Sequence, residues 1–172
     1  MTTPLRALES DLRALAQTAR AGHPAVREVA ERAIVKLRSI PPDAPFPPAE
    51  TIRPLLLACH HVSGGSNEEA LVTAALGSLQ RLATTESIPP SEPGSILQVL
   101  SRQSEHPSET IRVRALQTLP LVLSRSPPGS VGVSEIAAAM SLGLSMMRGD
   151  SSGLLRGMAA ATVRQAAGIA FD

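Results

Sequence analysis

Four segments of this chain repeat one pattern at near-constant spacing. Counting from Val26, Leu71, Ile111 and Leu155, the residue four places on is alanine each time: Ala30, Ala75, Ala115 and Ala159. Eight places on stand Ile34, Leu79, Leu119 and Val163, and eleven on stand Leu37, Leu82, Val122 and Ala166. Such offsets fall on one face of an α-helix. The starting points lie 45, 40 and 44 residues apart. A recurrence of about 40–47 residues, each unit a helical hairpin, is the pattern of HEAT and armadillo solenoids. Alanine at one fixed buried position lets a neighbouring helix approach closely. No single hairpin buries its apolar face, so stacking must complete the core.

Composition points the same way. Aromatic residues make up 1% of the 172 residues, with no Trp and no Tyr. The core must be built from Ala, Leu, Val and Ile, which favours packed helices over a β-sandwich. The expected fold is all-α, an armadillo- or HEAT-like solenoid of about eight helices, with residues 1–172 as one domain. The single Cys59 rules out an intramolecular disulfide framework and suits a cytosolic chain. A net charge of +1 argues against phosphate-dominated nucleic-acid binding, and no aromatic set is available to stack on bases. No apolar run reaches the roughly 20 residues of a membrane span. The N-terminal "MTTPLRALESDLRAL" alternates charge with leucine, unlike a signal peptide.

Proline and glycine divide the chain. The stretches near 40–48, 87–94 and 126–132 are proline-rich and cannot continue helices. The pattern predicts helices near 3–20, 24–38, 49–60, 68–84, 94–104, 108–125, 132–147 and 153–171. Pro24 and Pro107 suit a first helical turn, where a missing donor is harmless. Asn67 before Glu68 and Glu69 reads as an N-cap with acids in the first turn. Pro120 predicts a kink. The last helix runs to Asp172 without a Gly or Asn cap, which reads as a piece of a longer solenoid with apolar surface left open.

Charge is uneven. Residues 1–40 hold seven basic and four acidic side chains, net +3, and residues 41–100 hold two and six, net −4. Arg6, Arg13 and Arg20 stand seven apart. On a helix over 3–20 they would share a face, either simply solvated or a patch for anionic lipid or a partner.

Three motifs invite a chemical reading. "GDSSG" (149–153) fits the G-x-S-x-G elbow of serine hydrolases, but that elbow needs a strand before its nucleophile Ser151 and a triad His after it. A helical pattern precedes it here, and all four histidines lie earlier. "CHH" (Cys59, His60, His61) suggests a metal, yet no second Cys or His pair stands at ligand spacing; histidines at a helix end also suit the dipole. His23 and His106 each precede proline, where either would cap a helix or be solvated. No catalytic residue, cofactor or metal is assigned.

Three blocks carry a resemblance: "LESDLRALAQTARAGHPAVREVAERAIVKLRSI" (Leu8–Ile40), "ALGSLQRL" (Ala75–Leu82) and "AAATVRQAAGIAFD" (Ala159–Asp172). Together they resemble the N-terminus of the Mon-two family of large Golgi proteins, relatives of the large Arf guanine-nucleotide exchange factors of the BIG and Sec-seven group. The segment resembles their dimerisation and cyclophilin-binding (DCB) domain. The proline-rich loops depart from the family pattern.

The resemblance implies a non-catalytic armadillo-like scaffold in traffic between the trans-Golgi network and endosomes. It implies a cytoplasmic protein, peripheral on those membranes. Implied partners are an Arf-like small GTPase, a Dopey-type protein, an aminophospholipid flippase, and either the chain's own downstream helical region or a second copy in a homodimer. The family's Gln-basic-Leu unit is matched by Gln80, Arg81 and Leu82, so Gln80, Arg81, Thr84 and Thr85 are the expected contact. Relatives carry an aromatic where this chain has Thr84 and Thr85. Leu82 also occupies the repeated core position.

Overall fold

The computed structural model describes residues 3–41, 44–61, 65–149 and 152–171. Eight α-helices run through them: α1 (Thr3–Thr18), α2 (Pro24–Arg38), α3 (Ala49–Ala58), α4 (Ser66–Thr84), α5 (Pro93–Gln103), α6 (Glu109–Arg125), α7 (Val133–Gly149) and α8 (Gly153–Phe171). No strand occurs among the described residues. The helices form two rows. One row stacks α1, α4, α6 and α8; the other stacks α2, α3, α5 and α7. Across the rows α1 faces α2, α3 faces α4, α5 faces α6 and α7 faces α8. This is an α-solenoid of four stacked helix pairs.

The first pair departs from the repeat. The sequence pattern groups α2 with α4, α6 and α8. In the structure α2 packs on α1 and α3, and α1 takes the place beside α4. The hairpin α1–α2 is therefore inverted relative to the three that follow, and the chain enters α3 in the row that α2 already occupies. α1 is a leucine stripe of Leu5, Leu8, Leu12 and Leu15, all buried, without the alanine signature. α2 carries that signature in the other row, with Val26, Ala30 and Leu37 buried and Ile34 half-buried.

In α4, α6 and α8 the alanine column is fully or nearly fully buried: Ala75, Ala115 and Ala159. A second small column, three residues further on, was not visible as a motif: Ser78, Thr118 and Thr162 are also buried. The hydroxyls of Ser78 and Thr118 donate to their own helix, at the carbonyls of Ala74 (3.0 Å) and Arg114 (2.8 Å). A buried hydroxyl satisfied that way adds little bulk and leaves no orphan polar group.

Most of the core is one continuous aliphatic cluster along both rows. The last pair also packs through a smaller one of Leu116, Met146, Leu155 and Ala159, with Met147 and Met158 against it. Methionine is flexible and fills irregular space there. At Gly143, α7 passes close to α8. A Cβ at that position would lie 2.5 Å from Val163 Cγ2 and 3.3 Å from the Ala159 carbonyl oxygen.

Several local expectations change. α1 ends at Thr18, so Arg20 lies in the following turn and does not continue the face of Arg6 and Arg13. The N-cap of α4 is Gly65, and Asn67 sits inside the first turn, its amide donating to the Ala21 carbonyl at 3.5 Å. Pro24 does occupy the first turn of α2. Pro107 does not do so for α6, whose N-cap is Ser108. α6 runs on as one helix through Pro120. The positions Asp150, Ser151 and Asp172 lie outside the described residues.

Replacing Gly143 with alanine should destabilise the α7–α8 pair. Helix propensity gains about 1 kcal/mol, but overpacking against a stiff valine costs roughly 1–3 kcal/mol. Chemical denaturation should show a net loss of up to about 2 kcal/mol. Adding Val163→Ala should recover part of it, giving a coupling that two independent sites would not show.

Candidate partner-binding surface

The C-terminal end of α4 carries the residues matched to the family's contact unit. Arg81 makes a paired bond across the row to α1: Nε donates to Asp11 Oδ2 at 2.9 Å and Nη2 to Oδ1 at 2.6 Å. Its guanidinium is thereby held as an α1–α4 tie. Leu82 is buried in the core. The Thr84 hydroxyl donates to the Gln80 carbonyl (2.8 Å) and the Thr85 hydroxyl to the Arg81 carbonyl (2.9 Å), so both satisfy helix-end acceptors. Gln80 is half-buried, and its side chain has no partner among the described residues.

The helix then ends in a Schellman turn. Ser87 N–H bonds to the Leu82 carbonyl (2.9 Å) and Glu86 N–H to that of Ala83 (3.0 Å). Glu86 takes the left-handed position at φ 53°, where glycine is usual. Its carboxylate accepts from Arg125 of α6 at 2.7 Å. Beside it Phe46, Glu86, Ser124, Arg125, Pro127 and Pro128 line a pocket of about 300 Å³. Two of the proline-rich loops thus meet at this end of the rows and bring an aromatic ring there. Nothing local in the sequence signals that meeting.

The basic face of α1 is narrower than its sequence spacing suggests. Arg6, Arg13 and Arg20 are exposed. Arg13 is paired with Glu9, which also accepts from Arg38 of α2 at 2.9 Å. A single carboxylate thus ties two cations near the α1–α2 crossing.

Polar groups gather at the N-terminal end of α4. Gln103 is fully buried, and its amide donates to the carbonyls of Cys59 (2.7 Å) and His61 (3.1 Å), closing the end of α3 from α5. His106 is fully buried, and its Nδ1 accepts the Ser108 N–H at 3.0 Å. It is a cap acting from outside the helix, and so differs from His23, which makes no side-chain cap bond. Burial lowers the His106 pKa from its ordinary value; Glu69 opposes this, Arg112 adds to it and Glu68 opposes it.

The three residues of "CHH" diverge. Cys59 is buried in the core, its thiol pushed up to about 12 by burial. His60 points outward, and desolvation, Arg102 and His61 lower its pKa, against the helix-end imidazolium expected from sequence. His61 turns to Glu68, with Nδ1 and Oε1 3.6 Å apart.

A groove crosses the α2, α3, α5 row. A section of about 600 Å³ is lined by Val29, Ala33 and Leu57 with Arg32, Lys36, Glu50 and Arg53. A neighbouring section of about 330 Å³ shares Val29, Arg53 and Leu57 and reaches His60 and Val99.

Over residues 2–172 the chain matches the family described as "DCB: Mon2/Sec7/BIG1-like, dimerisation and cyclophilin-binding domain". The chain belongs to this DCB family. It is 27% identical over 172 residues to "Protein MON2 homolog" of Xenopus laevis, covering 96% of this chain and 9% of that protein. It is 26% identical over 175 residues to "Protein MON2 homolog" of Homo sapiens, covering 98% of this chain and 10% of that protein. The chain therefore spans about a tenth of the length of these MON2 relatives. No solved structure matches it. No helix of the described residues is long and apolar enough to cross a membrane.

His106 gives this DCB domain a pH dependence of definite sign. Its folded pKa is lowered, while in the unfolded chain it takes a proton near pH 6.5. Below that pH the unfolded state binds more protons, so the contribution of His106 to stability is full above about pH 6.5 and is lost as pH falls below it. Urea titrations from pH 8 to 5 should show a smaller acid loss in His106→Gln than in the parent chain. Equal slopes would exclude His106 as the source.

Proposed function

We propose that this domain is a non-catalytic scaffold in vesicle traffic between the trans-Golgi network and endosomes. It acts by self-association and by binding protein partners, including a GTP-loaded Arf-like GTPase. Membership of the DCB family over residues 2–172 carries this reading. The surfaces fit it: a long two-row solenoid offers grooves and helix ends, and α7 leads into the "GDSSG" motif where a hydrolase elbow needs a strand.

The GTPase contact lies at the C-terminal end of α4. Gln80 is the member of the matched unit whose side chain has no partner among the described residues. Phe46, lining the pocket beside Glu86, supplies the large apolar anchor missing at Thr84 and Thr85. Aromatic anchors dominate interface energy. Arg81 contributes by holding α1 against α4. Self-association uses the last pair, where Leu144 and Leu154 are 41% and 60% exposed, or that face packs on a downstream helical region. A Dopey-type protein is a further partner on the MON2 side of the family.

A membrane-surface role for Arg6, Arg13 and Arg20 is the second reading. It is weaker because Arg13 is paired with Glu9 and Arg20 is off the helix. Attachment to Golgi and endosome membranes runs through partners instead.

The chain should be captured by Arf-like GTPases loaded with a GTP analogue and not by their GDP forms. Gln80→Ala and Phe46→Ala should each cut that capture about 10-fold or more, as loss of an interface anchor does. Vesicles of anionic lipid should not float the chain without the GTPase. Flotation by lipid alone, lost on changing the three arginines to glutamate, would favour the second reading.

A further inference from the structure

We infer that His23, His61 and Glu68 form a binding site for a divalent transition-metal ion of the zinc class. The three residues lie on different segments: the N-cap of α2, the third residue past the end of α3, and the first turn of α4. One donor atom from each can be chosen so that all three lie within 4.8 Å of one another. The two imidazoles meet edge to face, with centroids 4.6 Å apart and planes at 69°. His61 Nδ1 stands 3.6 Å from Glu68 Oε1. Donors around a tetrahedral zinc, each about 2.0–2.2 Å from the metal, are roughly 3.4 Å apart. The His61–Glu68 separation already fits, and small rotamer adjustments close the rest.

The donor set selects the ion. Two neutral imidazoles and one carboxylate suit zinc and its transition-metal neighbours, whereas magnesium and calcium need oxygen donors throughout. Three protein ligands leave a fourth position, which water fills. Cys59 takes no part, because its thiol is turned into the core and kept protonated by burial.

Two observations separate this from a plain His–Glu ion pair. The second carboxylate oxygen, Glu68 Oε2, is buried with no hydrogen-bond partner among the described residues, a costly state for a carboxylate oxygen. The backbones that carry the ligands are also pinned around the cluster. The Gln103 amide holds the His61 carbonyl (3.1 Å), and the Asn67 amide reaches the Ala21 carbonyl (3.5 Å). Gly22, at φ 116°, makes the turn that delivers His23. A metal there staples the α1–α2 turn to the α3 end and the α4 start, where the inverted first pair joins the regular stack.

The test uses the 172-residue chain without an affinity tag. Calorimetric titration with zinc chloride should give one ion per chain, and saturating zinc should raise Tm by roughly 5 °C. Cobalt should bind with the visible absorption of a tetrahedral site, and magnesium should not change Tm. His23→Ala, His61→Ala and Glu68→Gln should each weaken zinc binding at least 10-fold, with helical circular dichroism unchanged before metal is added. His60→Ala should bind as the parent does. No zinc-dependent rise in Tm, or full binding in His23→Ala, overturns the proposal. His23 stands outside the ion pair, so its variant tells a metal site from a His61–Glu68 pair.

Discussion

Helices in this chain come together through small side chains, and the rest of the structure follows from that. With almost no aromatic residues, the core cannot be filled by a few large anchors. It is filled by aliphatic side chains on helices that pass close to one another. The extreme case is Gly143, where Val163 and the Ala159 backbone occupy the space a methyl group would need. The Ala75, Ala115 and Ala159 column, with Ser78, Thr118 and Thr162 beside it, serves α4, α6 and α8 in the same way. Close approach fixes the stacking distance, and regular stacking leaves continuous grooves along the rows.

Inversion of the first pair gives the two ends of α4 different chemistry. At its C-terminal end Arg81 ties α4 to α1, and Glu86 ties it to α6 through Arg125. An aromatic residue and two proline-rich loops collect there. At its N-terminal end the turn before α2, the α3 end and the α5 end converge on Glu68, His61 and Gln103. The first end gathers an aromatic ring and paired charges, the second two imidazoles and a carboxylate. Neither arrangement would arise if α2 had followed its sequence pattern into the row of α4.

Much of the fold was legible because helix periodicity and proline breaks are local signals. All eight helices lie where the pattern put them, within a few residues at the ends. The family resemblance on Leu8–Ile40 and Ala159–Asp172 agrees with the match over 2–172. The place of α2 was not legible. An amphipathic helix with alanine on its buried side has the same face whichever row it joins, and the deciding partner contacts are long-range. For the same reason His61 gave no sign of its neighbours: His23 and Glu68 reach it through tertiary packing. Arg20 was misplaced because spacing carries a face only while the helix lasts, and α1 stops at Thr18. Asn67 has cap chemistry, but the chain gives the cap to Gly65 and spends that amide on Ala21.

The order of helices in the two rows is the claim on which the account stands. Methyl-resolved nuclear Overhauser spectroscopy of Ile, Leu and Val side chains reads it directly. A dense set of cross-peaks should join α1 to α4 and α2 to α3. Cross-peaks that place α2 against α4, with α1 outside the row, would contradict it.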